Sequence, residues 1–408
     1  MKKRVGLGIV TVCAALLLTG CGGGGETSGS QSGSEDVNLK VWVDPGSGEF
    51  YKDVVNDYKE ANDIDYPIEV VESDTGKAQE FVKKDPDAAA DVFSIPHDQL
   101  GQLVDAGVIY ENTKYADEVA DNNTEQAVKG ATYQDKLYGY PYGVESMMLY
   151  YDKTKLTEED VKTFEGIVAK DKIGLNFEEN GADYFAVPFF VSNGSKLYGE
   201  DGEDPAGTTF NDAKGVNVLK WITAQGENPN VVQANADLMS QLENGSIAAL
   251  VSGPWGAENV EKILGDNMGI ATYPTNDFGD GTVQMKAFLG VKLYSVNANT
   301  KHPLEAMELA NYLSSQEAQK RAYDEKDTIP SNTELQQSDA VANDPLASTV
   351  VKMADPELSV LMPKIPEMVS FWPGALSVIS DGYKGKIPEN QMEDKLTQLV
   401  DDTSTTND

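Results

Sequence analysis

Residues 135 to 153, Asp135 to Lys153, read DKLYGYPYGVESMMLYYDK and set five tyrosines around Gly139, Pro141 and Gly143. The glycines and proline interrupt the pattern on one side, while Ser146-Met147-Met148-Leu149-Tyr150-Tyr151 resumes as a buried strand on the other. This is the composition of a joint, where a strand passes from one half of a molecule into another. A single carboxylate, Glu145, stands between the last glycine and the apolar run. An ordinary hairpin with a solvated acid is the competing reading of the same residues.

Outward from this stretch the chain is long, with 408 residues, 40% of them hydrophobic. That is too many for one core and predicts two domains of roughly 150 to 200 residues each. On the amino-terminal side, Leu39 to Val43 alternates as a strand, and Phe50, Val54, Val55 and Tyr58 recur at helical spacing. Strand Ile68 to Val71, a helix around Ala78 to Lys84, strand Asp91 to Ser94 and a helix from Leu100 to Ala106 follow. Strands alternating with helices argue for an α/β fold with a parallel sheet and a ligand crevice at the strands' carboxyl ends. The turn Ile95-Pro96-His97-Asp98 leaves such an end.

On the carboxyl side, Asp183-Tyr184-Phe185-Ala186-Val187-Pro188-Phe189-Phe190 is the most aromatic stretch and reads as irregular. Helices at 213–223 and 236–243 lead to a strand over 247–251, which ends at Ser252-Gly253-Pro254-Trp255-Gly256. Strand 269–273, a second apolar run at 287–291, and one long helix from Pro303 through Ala318 come next. Two prolines extend the segment Met362-Pro363-Lys364-Ile365-Pro366, and Phe371-Trp372 opens a last helical region.

The termini speak to compartment. Lys2-Lys3-Arg4, an apolar run from Val5 to Leu18, and Leu18-Thr19-Gly20-Cys21 form a secretory signal whose apolar part is too short to span a bilayer well. Residues 22 to 36 hold only Gly, Ser, Thr, Gln and acids, the composition of a flexible tether. Removal of the signal leaves 29 basic side chains against 67 acidic ones, a charge of about −38. Such a surface repels nucleic acid and anionic lipid and disfavours a polyanionic ligand.

Little in the sequence points to catalysis. The two histidines, His97 and His302, lie beside prolines in expected loops, without metal or triad spacing. No cofactor motif is present: Gly76-Lys77 lacks the earlier glycine of a phosphate loop, and Pro205 interrupts the acidic run after Asp201. What stands out is aromatic. Tyr184, Phe185, Trp255, Phe371 and Trp372 all sit in Gly- or Pro-flanked stretches. With Asp98 and Glu145 they offer flat apolar faces bordered by acceptors, and a sugar needs that combination because its CH faces stack on rings while its hydroxyls donate to carboxylates.

From about Leu39 to Val400 the chain resembles the extracellular solute-binding proteins of carbohydrate ABC importers, nearest the maltose/maltodextrin-binding group. Asp91-Val92-Phe93 with His97-Asp98, Leu137 to Pro141 with Glu145-Ser146, Gly253-Pro254-Trp255, and Met362 to Met368 with Phe371-Trp372 carry the resemblance. The Leu-Thr-Gly-Cys ending is similar to a lipobox, implying a lipid on Cys21 and a monomer held to the outer face of the cell membrane by that anchor alone. The resemblance implies a periplasmic-binding-protein-like fold: two doubly wound lobes, residues 38–143 with 290–338 and residues 144–289 with 339–402, joined by a hinge. A disordered tail is expected from 403. It also implies ligand contacts from Asp98, Glu145, Tyr184, Phe185, Trp255, Met362 and Trp372, a maltooligosaccharide ligand, ABC permease subunits as partner, and neither catalysis nor metal. Departures are Pro45-Gly46-Ser47 where the enteric pattern has an aspartate-lysine pair, Ile95 for a tryptophan, Gln99 for an arginine and Ala257 for a second tryptophan. These fit longer maltodextrins or another neutral oligosaccharide better than maltose. A binder of other sugars or peptides, and a surface glycoside hydrolase, remain the alternatives.

Overall fold

The structure is a computed structural model and describes residues 37–404; the signal, Cys21 and the tether up to residue 36 lie outside the described residues. The first strand, β1 (Leu39–Val43), buries Leu39, Val41 and Val43 and leaves the alternate residues partly exposed, as its period of two requires. β2 (Ile68–Glu72) and β3 (Val92–Pro96) flank it in parallel, with Val41 paired to both Val70 and Val92. The intervening helix Gly48–Ala61 turns Phe50, Tyr51, Val54, Val55 and Tyr58 inward.

The opening stretch forms two strands rather than a hairpin: β4 (Tyr140–Ser146) and β5 (Met148–Asp152), with Met147 between them. Five further strands belong to the two principal sheets: β6 (Ile173–Leu175), β7 (Val231–Gln233), β8 (Ala249–Ser252), β9 (Met268–Ala271) and β10 (Ala287–Val296). A short β11 (Ser359–Leu361) joins the first of them. The first sheet has order β11-β10-β3-β1-β2, with β4 also paired to β10; the second has order β9-β5-β8-β6-β7. Each of the two lobes is built on one sheet. The first is parallel across β1, β2 and β3, but β10 runs antiparallel to both β3 and β4.

The sheets change at Met147, just ahead of β10, and again at β11, which pairs in parallel with residues 287–289. β4 and β10 therefore extend a few residues past the expected limits at 143/144 and 289/290. β11 belongs to the first sheet, although residues 339–402 were expected with the second lobe.

Three further expectations are corrected. The aromatic stretch is a helix, Ala182–Ser192, whose all-round apolar character reflects burial rather than irregularity. The long helix from Pro303 breaks after Leu313, because Ser315 caps a new helix, Gln316–Lys326, by accepting the Ala318 amide. Thr403 ends the helix Met392–Thr403 and is buried, its carbonyl accepting the Tyr198 hydroxyl at 3.1 Å, so it belongs to the fold rather than to a tail.

Candidate functional site

A cavity of about 310 Å³ opens where the two sheets meet, lined by Pro96, Asp98, Glu145, Asp183, Tyr184, Trp255, Gly290, Val291, Lys292, Met362 and Trp372. A hollow of about 530 Å³ lies around residues 195–203 and 356–364, but among the described residues no aromatic side chain lines it. Ring content, not size, distinguishes the first.

Asp98 sits in the short turn His97–Gln99 that leaves β3, at the carboxyl edge where α/β sheets place ligand groups. Its Oδ1 is shielded from solvent and has no hydrogen-bond partner among the described residues. Burial, opposed by the residue's own amide and reinforced by the charge of Glu145, pushes its pKa up to about 6. Glu145 extends from β4 opposite Gly290, where a Cβ would lie 2.9 Å from the Glu145 Cγ. That glycine makes room for the carboxylate.

The rings come from the other sheet's elements. Tyr184 stands in the first turn of the 182–192 helix, and its phenol is held neutral by burial and by the carboxylates of Glu145 and Asp98. Trp372 lies in the first turns of helix Met368–Tyr383. Both rings pack on Phe288, at 5.5 Å for Tyr184 and 5.8 Å, edge-on, for Trp372. Trp255 occupies the tight turn after β8, 56% exposed, with its ring lying over Gly253. An aromatic surface left this open at a cleft rim is a site for something to stack on.

Six of the seven expected contact residues thus line one cavity: Asp98, Glu145, Tyr184, Trp255, Met362 and Trp372. Phe185 does not. It is 4% exposed and packs against Phe177 and Phe189 at 5.3 and 4.9 Å. Consecutive helical residues point about 100° apart, so Tyr184 and Phe185 cannot share a face. Phe371 is likewise core.

Sequence reasoning missed Asp183, Lys292 and the supporting Phe288. Lys292 left a signal, as the one charge in the otherwise apolar run of β10. The departures from the family pattern have turned to structural duties: Ile95 is buried, and the Gln99 amide donates to the carbonyls of Thr75 and Gly76.

His97, expected in a loop, is fully buried and ties three segments together. Its Nδ1 accepts the Val291 amide at 3.1 Å, which leaves Nε2–H to donate to the Met362 carbonyl at 3.0 Å. Burial and nearby Lys364 lower its pKa to about 3, against the bond to Met362. An unfolded chain takes up this proton as pH falls through 6.5 and the native one only near 3, so the stability that neutral His97 contributes is lost as pH falls across that window. Urea unfolding at pH 7, 6, 5, 4 and 3, with His97→Gln as reference, is expected to show a loss of roughly 3 to 5 kcal/mol attributable to His97 by about pH 3. His97→Gln should be less stable at pH 7 yet lose less on acidification; parallel pH curves would contradict the neutral-imidazole assignment.

Two α/β lobes with a ring-lined, carboxylate-edged cleft between their sheets define the architecture of a protein that encloses a solute. The chain belongs to the family of bacterial extracellular solute-binding proteins, whose pattern matches residues 53–349. It is 28% identical to a galactooligosaccharide-binding protein of Bacillus subtilis (strain 168), over 98% of this chain and 97% of that protein. It is 27% identical to a maltooligosaccharide ABC transporter solute-binding lipoprotein of Streptococcus pneumoniae (strain ATCC BAA-255 / R6), over 99% and 97% of the two. Among solved structures, maltodextrin-binding protein MalE1 from L. casei BL23, without ligand, superposes with a TM-score of 0.87. It is 37% identical, covering 91% of this chain and 100% of that one.

Proposed function

We propose that this protein captures maltooligosaccharides at the outer face of the cell membrane and delivers them, without chemical change, to the permease of an ABC importer. The observation that carries the reading is the single cleft in which Tyr184, Trp255 and Trp372 face the carboxylates of Asp98 and Glu145. Glucose rings linked through oxygen present alternating CH faces and hydroxyl edges, and that pairing suits them. Solute-binding relatives named for maltooligosaccharides support the same ligand class, and a lipid on Cys21 would keep the protein at the surface.

The lobes in this reading are residues 38–143 with 290–338 and 144–289 with 339–402, save that 144–146, 287–289 and 359–361 pair in the first lobe's sheet, and β4 and β10 are two of the crossings that flex. Closure would bias the molecule toward a compact state when sugar fills the cleft. Calorimetry against maltose, maltotriose and maltotetraose is expected to give binding that strengthens with chain length, and scattering a smaller radius of gyration with sugar. Absence of heat with all three would overturn the proposal. The galactooligosaccharide-binding relative supports a second ligand, so a β-linked galactooligosaccharide belongs in the same screen. Release of reducing ends from any of these sugars would establish a hydrolase instead.

Because Trp255 is largely exposed, Trp255→Ala should leave the melting temperature nearly unchanged while weakening maltotetraose binding by about 1 to 3 kcal/mol, or one to two decades. A large melting shift with affinity retained would remove the stacking role.

A further inference from the structure

β10 carries one charge, Lys292, and the strand is irregular at that residue. Lys292 pairs with Gly143 but the next residue, Leu293, pairs with Pro141, so Tyr142 of β4 is left over as a bulge. Bulges re-aim the side chains beside them. Two glycines clear the ground across the strands: Gly143 stands opposite Lys292, and Gly290 opposite Glu145. The ammonium comes to rest 3.3 Å from Glu145 Oε2 and 4.0 Å from Asp44 Oδ2. Asp44 follows the last residue of β1 and is held in turn by the hydroxyls of Thr75 and Tyr142, with Ser94 behind Tyr142 at 2.7 Å.

This arrangement keeps the lysine charged. Burial works against the ammonium, but Glu145 and Asp44 outweigh it and hold the pKa above the usual lysine value. An ammonium has three donors, and two acidic neighbours engage at most two of them. Among the described residues Lys292 is the only Lys or Arg in the cavity lining, and its side chain is 31% exposed there.

We infer that Lys292 is itself a ligand-contacting residue, and that its ammonium with the Glu145 carboxylate forms a donor–acceptor pair reading adjacent hydroxyls of a neutral sugar. One hydroxyl donates to Glu145 while its neighbour accepts from Lys292. Such a pair selects a ring whose vicinal hydroxyls are both free. The inference rests on the oligosaccharide-binding function proposed above.

The test is a double-mutant cycle read by calorimetry with maltotetraose, using Lys292→Met, Glu145→Gln and the double variant, with Lys292→Gln as a second neutral replacement and thermal melts on each. Lys292→Met and Lys292→Gln should weaken binding about 10- to 100-fold in the wild-type background, as expected for loss of a charged donor. In the Glu145→Gln background a further loss of at least about fivefold should persist, because the ammonium touches sugar directly. If Lys292 only positions Glu145, the second background will show no further loss, and the inference falls. Wild-type affinity in both Lys292 variants would also overturn it. A wild-type protein that binds no neutral oligosaccharide would instead overturn the functional reading, and the inference with it.

Discussion

Phe288→Ala is expected to cost about 3 to 5 kcal/mol of folding stability, the range for emptying a fully buried aromatic site. The side chain is 1% exposed on β10, between the rings of Tyr184 and Trp372, and its removal leaves a hole under both. In a molecule stable by only about 5 to 15 kcal/mol, that loss lowers the melting temperature by roughly 4 to 6 °C. Binding should fail along with stability, since Tyr184 and Trp372 would lose the surface that orients them. In the fraction still folded at 15 °C, maltotetraose affinity should drop at least about tenfold. The contrast with Trp255→Ala is the informative part: one ring supports, the other receives. A Phe288→Ala protein that melts within a degree or two of wild type would show that the two cleft rings are held by something else.

Asp98→Asn should move stability and affinity in opposite directions. In the unfolded chain this carboxyl ionises near 3.8, but in the native cleft near 6, raised first by burial and further by the Glu145 charge. Between those values the native form holds a proton that the unfolded form has released. The Asp98 contribution therefore becomes more unfavourable to folding as pH rises from about 4 to about 6, and the full penalty persists above that. It amounts to about 2 to 3 kcal/mol at neutral pH if the whole shift is felt. Asparagine carries no such penalty, so the variant should be the more stable protein at pH 7.5 and the two curves should converge near pH 4. Sugar binding should weaken about 10- to 100-fold, because a neutral amide replaces an acceptor whose Oδ1 has no competing partner. Wild-type affinity should also decline as pH drops below 6, where the acceptor takes up its proton. An asparagine variant less stable at pH 7.5, or equal in affinity, would contradict this account of the site.

Much of this was legible in the chain itself. The period-two run from Leu39 to Val43 and the helical spacing of Phe50, Val54, Val55 and Tyr58 specify their elements because burial of one face leaves no other solution. Asp98 was visible as a polar residue leaving a strand's carboxyl end, and Trp255 as a ring in a Gly-Pro turn with nothing local to cover it. Local patterns of that kind need no knowledge of the partner element.

Tertiary structure alone decided the rest, wherever two distant segments had to meet. The same aromatic run placed Tyr184 in the cleft and Phe185 in the core, a choice made by the helix's rotation against Phe177, Phe189 and Phe288. His97 looked like a loop residue because its partners, the Val291 amide and the Met362 carbonyl, lie 194 and 265 positions away. Lys292 was a lone charge in an apolar strand until a bulge and two facing glycines aimed it between Asp44 and Glu145. Side-chain periodicity is a property of one segment, whereas electrostatic pairing and ring support belong to the contact between segments. The sequence by itself therefore determined the strands and helices with a clear period, the family and most of the cleft's residue types, and the packing of β4 against β10 determined which of them work together.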